Sequence, residues 1–496
     1  MGRLLRRLRT VRRGRGLARG MAGAGLGAAL VMVAPGAAVA VDSGDPYVYA
    51  EGARTVGGAR GSATAAQLKT GETYRSSLAA GDGAVAYYRV ELDGAATAYA
   101  SVVAVPPLGS GVKAAASDGI AVSLRDLRGN ECDAGRATFR SGSSPQPIAV
   151  AVERSVRPGG LRCQSAGTYY VVVEREAAAG SSGRAWGLEL RVATEPGLVS
   201  ATPSEEARPW PSETAALPSG AGVRRVGGTG FNDAKALTSG VWKDRIRPGQ
   251  SHFYRVPVDW GQQLFLGAEL GGVTGDGARR GAVAGALDME LYNPARAQVA
   301  VKGAPYSGDS ASAALDPLPP VSYGNRLLSR KDEAAMRVAG WYCLKVTLDP
   351  ALAGKFGGGD FGVTLRVTVD GDEKRAPDYV RDPGEFQVTS ADLAAAERGE
   401  GGAEWGDGSS SEAEGKGAEA SPGAGSGSGA GSGADSGAAG GRGGASAGAT
   451  ASSATSPGDG LMTLVGVTGV GTGSALVLWL GVWRMVAVRR FRRVRG

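Results

Sequence analysis

An internal repeat constrains the fold of this chain more than any other feature of its sequence. Six short blocks recur in the same order, and the offset between copies runs only from 166 residues (Tyr87 against Phe253) to 175 residues (Trp186 against Phe361). The matched blocks are 68–71 with 237–240, 78–81 with 246–249, 87–90 with 253–256, 122–126 with 289–293, 166–170 with 339–343 and 186–192 with 361–367. Because loop insertions alone account for so small a change in offset, the sequence predicts two copies of one structural unit.

The repeated blocks have the pattern of β-strands. Tyr88, Val90 and Leu92 alternate with the charged Arg89 and Glu91. Such alternation predicts a strand with one face in a core and the other face in water.

The second copy repeats the alternation, with Tyr254, Val256 and Val258 placed around Arg255. Gly, Pro and Asp turns separate the blocks, and this arrangement is typical of antiparallel sandwiches rather than of βαβ units. We therefore predict an all-β extracellular part, built as two tandem antiparallel β-sandwiches over residues 41–198 and 199–371. Each is long enough to bury its own core.

The N-terminal 40 residues have the three parts of a secretory signal peptide. Eight arginines lie between Arg3 and Arg19, a short apolar stretch covers residues 21–33, and small residues follow at 38–40. The alternative is a first membrane span, but this stretch is shorter than the ~20 residues that a bilayer requires. We expect residues 1–40 to be removed on export.

The C-terminal end predicts a single membrane anchor. Residues 461–483 are 23 residues without a charge, which is long enough to span a bilayer. The following residues, 484–496, contain six arginines and no acidic residue. Since cytoplasmic flanks carry the positive charge, we predict a single-pass plasma-membrane protein with a basic cytoplasmic tail and extracellular N-terminal domains.

These terminal segments change the meaning of the net charge. The formal value of +7 reflects 55 basic and 48 acidic residues, and fourteen of the basic residues are arginines of residues 1–40 and 484–496. Between these segments 41 basic and 48 acidic residues remain, a net charge of −7. A nucleic-acid partner is therefore not expected, because its electrostatic basis is missing.

Three cysteines occur in the chain, and an exported protein can form disulfides. Cys132 and Cys163 lie in the first predicted sandwich, and we predict that they pair. Closing this loop stabilises a fold by about 3–4 kcal/mol in the chain-entropy model. Cys343 lies in a strand-like run, where a buried and unreactive thiol is favoured over a reactive one.

The composition changes after the second predicted sandwich. Residues 372–459 are predicted to be a flexible linker, and beyond Gly399 they are a low-complexity sequence of Gly, Ala and Ser with scattered acids that is typical of a disordered tether. Within this range Phe386, Val388 and Leu393, with Thr389 or Ser390 as a cap, are compatible with a short docked turn or helix.

The second copy also resembles a known family. The segments 254–256, 287–294 and 340–342, which read Tyr-Arg-Val, Leu-Asp-Met-Glu-Leu-Tyr-Asn-Pro and Gly-Trp-Tyr, resemble the bacterial pre-peptidase C-terminal domain. That resemblance implies a small β-sandwich of exported proteins that binds or targets and does not catalyse.

A closer resemblance covers residues 237–370. The segments 245–250 and 259–264 are similar to the membrane-proximal half of actinobacterial surface proteins that carry a von Willebrand factor A domain. The Asp-x-Ser-x-Ser motif of metal-dependent adhesion does not occur here, and the nearest segment, 309–312, has Ala311 where the motif needs serine. Metal-dependent adhesion is therefore not implied for this chain.

Few residues have the pattern of a chemical site, and no catalytic residue or bound cofactor is predicted. The one histidine, His252, is interpreted as a histidine at the rim of a strand with a local hydrogen bond. Asp288 and Glu290 share a strand face and, with Asn293, form a candidate calcium site, although solvated surface carboxylates are the alternative.

The predicted membrane helix contains a Gly-x-x-x-Gly pair. Gly469 and Gly473 would allow two helices to approach closely, so a homodimer formed through this helix is a further hypothesis.

These observations favour a non-catalytic cell-surface protein. In this hypothesis, two β-sandwich modules bind an extracellular protein or a cell-wall glycan. The alternative is an accessory subunit of an exported protease or of a von Willebrand-type membrane complex.

Overall fold

The computed structural model describes residues 46–401 except for 110–111, 141–144, 158, 201–208, 214–215 and 274–280. The predicted signal peptide, membrane helix and basic tail, with Gly469 and Gly473, lie outside these residues. Among the described residues, no helix has the length and apolar character needed to cross a membrane.

The described residues contain twenty strands and three short α-helices. The first ten strands are β1 (Arg54–Thr55), β2 (Ala66–Leu68), β3 (Thr73–Leu78), β4 (Val85–Leu92), β5 (Thr97–Val105), β6 (Gly119–Asp126), β7 (Glu131–Thr138), β8 (Ile148–Arg154), β9 (Gly167–Glu176) and β10 (Trp186–Glu195). The next ten are β11 (Val223–Arg224), β12 (Lys235–Ala236), β13 (Gly240–Ile246), β14 (Ser251–Val258), β15 (Gln263–Leu270), β16 (Val283–Tyr292), β17 (Gln298–Tyr306), β18 (Ala311–Ala314), β19 (Gly340–Leu348) and β20 (Phe361–Asp370). The helices are α1 (Lys331–Ala334), α2 (Ala351–Phe356) and α3 (Ser390–Arg398), with short 3₁₀ helices at Ser62–Thr64 and Tyr323–Leu327.

Four five-stranded sheets are formed, two in each half of the chain. The first half has outer sheet 1, in the order β2-β4-β9-β6-β7, and inner sheet 1, in the order β1-β3-β10-β5-β8. The second half has inner sheet 2, in the order β12-β14-β19-β16-β17, and outer sheet 2, in the order β11-β13-β20-β15-β18. Adding ten to each strand number converts one half into the other, so the halves share one topology.

The all-β prediction is confirmed, with one refinement. The long strands pair antiparallel, but each sheet has a short parallel strand at one edge, in the pairs β1–β3, β2–β4, β11–β13 and β12–β14. The sheets are therefore mixed rather than purely antiparallel.

Each half buries one apolar core between its two sheets. In the first half, Val102 of β5 and Leu190 of β10 meet Val90 of β4 and Val171 of β9. The second core is built in the same way, with Leu365 of β20 facing inner sheet 2. Because each core takes alternate residues from facing sheets, each half is a β-sandwich.

The outward faces of the two inner sheets pack against each other, which the alternating pattern did not predict. Val103 of inner sheet 1 and Phe253 and Cys343 of inner sheet 2 lie in one shared apolar cluster. As a result every residue of β19 is buried, and so are eight of the nine residues of β5. The described residues therefore form a stack of four sheets.

The prediction that one side of β14 faces water is also wrong. Arg89 and Glu91 of β4 are exposed as expected, but Arg255 of β14 is only 6% exposed. Its guanidinium lies 4.0 Å from the centre of the Trp341 ring, and α3 covers this part of inner sheet 2.

The predicted boundary of the linker also needs correction. Residues 372–401, called the strap below, pack against both sandwiches. Val380 donates a main-chain hydrogen bond of 2.9 Å to Gly197, and Phe386 is fully buried, with its ring centre 5.3 Å from that of Tyr99. The packed part of the chain therefore extends to residue 401.

The strap ends in α3, which begins at the cap suggested by the sequence. The Thr389 side chain accepts a hydrogen bond from the Asp392 main chain, and the Asp392 side chain accepts one from the Thr389 main chain. This reciprocal capping satisfies N–H groups that a helix start leaves without partners. The helix then buries Ala396 against Trp341.

The cysteines are placed as the sequence suggested. Cys132 and Cys163 form a disulfide with their Cα atoms 5.7 Å apart. Cys343 is buried, and burial raises the pKa of its thiol to about 12. A thiol with so high a pKa is almost entirely protonated at neutral pH and therefore unreactive.

Candidate functional site

The first sandwich contains a polar cavity of about 250 Å³ at one end of its core. Its polar lining residues are Thr70, Glu91, Asp93, Arg154, Thr194 and Arg381. Five of these come from the first sandwich and the sixth from the strap, so the cavity is completed by a segment distant in sequence.

Strand ends place these side chains together. Glu91 lies near the end of β4, and Arg154 is the last residue of β8, opposite Ala98 of β5. Asp93 follows β4 directly, and its Oδ1 accepts hydrogen bonds from the main-chain N–H groups of Ala95 and Ala96, at 2.9 and 2.7 Å. This local turn fixes the chain that borders the cavity.

Arg154 is the most unusual residue of the cavity. The residue is 1% exposed, and its Nη2 donates to the carbonyl oxygen of Asp93. Its guanidinium lies 5.3 Å from the centre of the Tyr169 ring. Nε and Nη1 are both buried, and neither has a hydrogen-bond partner among the residues that the structure describes.

This arrangement is energetically costly for the protein alone. Burial lowers the pKa of Arg154 from its ordinary value, and the nearby Tyr169 and Asp93 oppose this only in part. A buried donor without a partner costs about 1–3 kcal/mol, and more when it is charged.

Two carboxylates and a second arginine lie at the rim. Glu91 is exposed and accepts a hydrogen bond of 2.6 Å from the Thr168 hydroxyl. Arg381 lies 3.5 Å from Oδ2 of Asp93. The main-chain N–H of Ala96 is the largest cause of a lowered pKa at Asp93, so this carboxylate is charged at neutral pH. Positive and negative charges are therefore balanced around the opening.

The second sandwich does not repeat the arginine. The strand equivalent to β8 is β18, which ends at Ala314. The two halves therefore share a topology, but β18 contains no arginine. Arg154 was not singled out from the sequence, because a charged residue at a strand end normally lies in water. The available signal was alternation, since Val150 and Val152 of β8 face the core and Arg154 is the next residue on that face.

The candidate calcium residues are already engaged with other groups. Glu290 is buried, and its carboxylate pairs with Lys345 at 2.6 Å and accepts from Tyr292 at 2.7 Å. Asn293 is also buried, and its amide bonds to the main chain of Ala335 and Ala297, both at 3.0 Å.

Asp288 remains half-buried beside this pair. Burial and the neighbouring Glu290 raise its pKa. Among the residues that the structure describes, no group of three or more His, Cys, Asp or Glu side chains is placed to hold a metal ion. Glu290 and Asn293 therefore already have protein partners for the groups that would bind calcium.

His252 is not at a rim as predicted, although it has the expected local hydrogen bond. It is buried, and its Nδ1 lies 2.6 Å from Oδ2 of Asp244. The same carboxylate oxygen accepts from the Tyr254 hydroxyl at 2.6 Å. Burial by itself raises the pKa of Asp244, but these bonds and two main-chain N–H groups lower it below its ordinary value.

Comparison with known proteins gives no family for this chain. No protein-family model matches it, and no curated protein matches it. The resemblance to pre-peptidase C-terminal domains stays a prediction.

Solved structures show only weak likeness. They include an arabinose-bound α-L-arabinofuranosidase (15% identity, 24% of this chain and 18% of that chain, TM-score 0.17) and tripeptidyl peptidase 2 (9%, 67% and 28%, TM-score 0.19). A third is the extracellular domain of ANXUR2 from Arabidopsis thaliana (11%, 62% and 86%, TM-score 0.17). The chain thus covers well under two thirds of the first two proteins, and TM-scores this low carry no argument.

Proposed function

We propose that this chain is a non-catalytic binding protein of the cell surface. It is exported by residues 1–40 and held by a membrane helix at residues 461–483, and a flexible tether beyond residue 401 carries the two sandwiches. The ligand is a cell-wall glycan or an extracellular protein.

One observation carries this proposal: the first sandwich has an open polar cavity lined by Glu91, Arg154 and Arg381. A concave site with a few convergent polar side chains is where a ligand is expected to bind. The packing of the two sandwiches supports the same role, because a rigid scaffold holds a binding site in a fixed geometry. The negative charge calculated for the part between the terminal segments is compatible with a glycan or protein ligand.

The test is binding of the full-length protein, in mild detergent, to purified insoluble cell walls. We expect the wild type to sediment with the walls and Arg154→Met to remain in solution. Arg330→Met makes the same chemical change at an exposed position and should sediment like the wild type.

Equal sedimentation of wild type and Arg154→Met would contradict the proposed site. If the wild type does not sediment and instead co-purifies from membranes with one protein in stoichiometric amount, the accessory-subunit alternative is favoured.

A further inference from the structure

We propose that one edge of outer sheet 2 docks on an anionic lipid surface. The contact is made by Arg224 of β11 and by Lys243 and Arg245 of β13, called the cation strip below. This inference rests on the proposed function, because it takes the membrane helix at residues 461–483 as the anchor. It adds a surface on the second sandwich that is separate from the cavity of the first.

The three side chains of the cation strip are held side by side. Strands β11 and β13 pair in parallel with Arg224 opposite Lys243. Arg245 lies two residues after Lys243 in β13, and therefore on the same face of the strand. All three residues are exposed. Like charges directly opposite each other destabilise a strand pair, so an anion placed against the strip would stabilise it.

The protein itself supplies no such anion. Among the described residues, no carboxylate forms an ion pair with the cation strip. By contrast Arg247, the next cation of this part of the chain, pairs with Asp360 at 3.3 Å. The cation strip is therefore available to an external anionic partner.

The first sandwich shows that the shared topology does not require these cations. Thr55, Arg75 and Ser77 occupy the positions of Arg224, Lys243 and Arg245, respectively. The single cation among them, Arg75, lies 4.1 Å from the centre of the Tyr49 ring. Three neighbouring cations are thus particular to the sheet at the outer end of the second sandwich.

Exposed apolar side chains next to the strip favour lipid over a soluble anion. Val223 and Val226 flank residues 224–225 in the chain and are 59% and 48% exposed. A bilayer surface accepts both kinds of side chain, because apolar groups enter the headgroup region while cations meet anionic headgroups. A soluble polyanion would leave both valines in water.

The described chain ends beside the cation strip, which keeps the proposed anchor within reach. Nη1 of Arg225 donates to the carbonyl oxygen of Arg398 at 3.5 Å, and Gly401 forms a β-bridge with Lys235. Residues 402–460 are 59 residues, and a flexible coil of this length spans about 40–45 Å. Such a tether gives a high effective concentration of lipid at the strip, so individually weak contacts are sufficient.

Chemical labelling of Lys243 tests the contact directly. The full-length protein is placed in nanodiscs of phosphatidylcholine alone or of equal parts phosphatidylcholine and phosphatidylglycerol, and lysine acetylation by an amine-reactive ester is followed by mass spectrometry. We expect Lys243 to react about three- to tenfold more slowly in the anionic discs. Lys69, an exposed lysine of the first sandwich, should react equally in both. Molar salt should remove the difference, because it screens the attraction.

Two double variants with the same change of charge test the residues. Arg224→Gln/Arg245→Gln should restore fast labelling of Lys243 in the anionic discs. Its melting temperature should not fall, since like charges are removed from around Lys243. Arg89→Gln/Arg128→Gln changes two exposed arginines of the first sandwich and should leave the slow labelling of Lys243 unchanged.

The outcomes separate this inference from its alternatives. Equal labelling of Lys243 in both discs would overturn it, and so would equal protection by soluble polyphosphate added to phosphatidylcholine discs, since the strip would then recognise any polyanion. If the protein enters the discs but Lys243 is not protected, this inference fails and the proposed anchor stands. If the protein does not enter the discs at all, the proposed anchor fails as well.

Discussion

Glu189 shows how single residues hold the two sandwiches together. It is fully buried on the outward face of β10, where its carboxylate lies 2.5 Å from Nη1 of Arg296 and accepts from Asn232 and Tyr47. Arg296 adopts a φ of 59°, a left-handed conformation that is strained for arginine. The ion pair and its surrounding hydrogen bonds thus fix a turn of the second sandwich against a strand of the first.

The residue-scale prediction is that Arg296→Met destabilises the protein by about 3–5 kcal/mol. Without Arg296, Glu189 would lose its counter-charge. Its carboxylate would then remain buried in a poorly solvating environment, which is strongly destabilising. Denaturant unfolding followed by circular dichroism measures the free energy of unfolding.

The matched control for this prediction is Arg330→Met, which breaks an exposed pair with Asp332. This variant should leave the midpoint of denaturant unfolding almost unchanged. A similar midpoint for both variants would show that the buried pair does not stabilise the interface.

At the scale of elements, the strap is the segment that joins the cavity, the interface and the end of the packed chain. Arg381 lines the cavity, Glu385 pairs with the buried Arg191, and Phe386 lies in a cluster with Tyr99 of β5 and Val338 of the second sandwich. The strap therefore contacts both halves with buried side chains, although a flexible linker was predicted here.

We expect Phe386→Ala to loosen the strap. Truncating a fully buried phenylalanine costs about 3–5 kcal/mol, and a peripheral segment with few other apolar anchors should open locally rather than unfold the cores. Limited proteolysis should cut residues 372–401 faster in this variant, and mass spectrometry would locate the cleavage.

Val380→Ala changes an exposed side chain of the same strap and serves as the control. If residues 372–401 of Phe386→Ala are cut no faster than those of the wild type, the strap does not depend on Phe386.

At the scale of the whole molecule, the two sandwiches stack head to tail. The interface is formed by inner sheet 1, which contains β10, and by inner sheet 2, which contains β19. Strand β19 is the equivalent of β9, and β9 lies in outer sheet 1. Unlike sheets of the two sandwiches are therefore in contact. Contacts between unlike faces can in principle continue indefinitely. Here the two outer sheets expose charged residues such as Arg89 and Glu91 of β4 and Lys243 and Arg245 of β13. Polar end faces of this kind stop a stack after its last repeat.

This interface predicts one cooperative unfolding transition for both sandwiches. Cores that share buried ion pairs and apolar clusters lose their mutual contacts together, whereas independent modules would melt separately. Differential scanning calorimetry of the full-length protein should give a calorimetric enthalpy equal to the van't Hoff enthalpy for the main transition. Two resolved transitions would refute the view that the sandwiches form one cooperative unit.

Much of this architecture is visible in the sequence. Repeated blocks predict the duplicated strands, and Tyr88, Val90 and Leu92 do face a core as their spacing indicates. The Thr389 cap likewise follows from local chemistry, because a cap depends only on neighbouring residues.

The buried polar residues are what the sequence does not predict. Glu189, Arg191 and Glu195 alternate with leucines and valine as a water-facing stripe would, yet all three are buried. Arg154 is a different case, because it shares the core face of β8 with Val150 and Val152. Alternation identifies which residues share a face, but the partner that covers the face comes from a distant part of the chain.

The two ends of the described chain bond to one short segment of the second sandwich, residues 229–236, which ends in strand β12. The carbonyl of Pro46 accepts from Thr229 at 2.9 Å, and the carbonyl of Glu400 accepts from Ala236 at 3.1 Å. A mechanical pull on the chain beyond residue 401 would first break the Glu400 bond and then unwind α3. The force would next reach Phe386 and Glu385, which bind the strap to Tyr99 and Arg191 of the first sandwich, and only then Arg381 at the cavity.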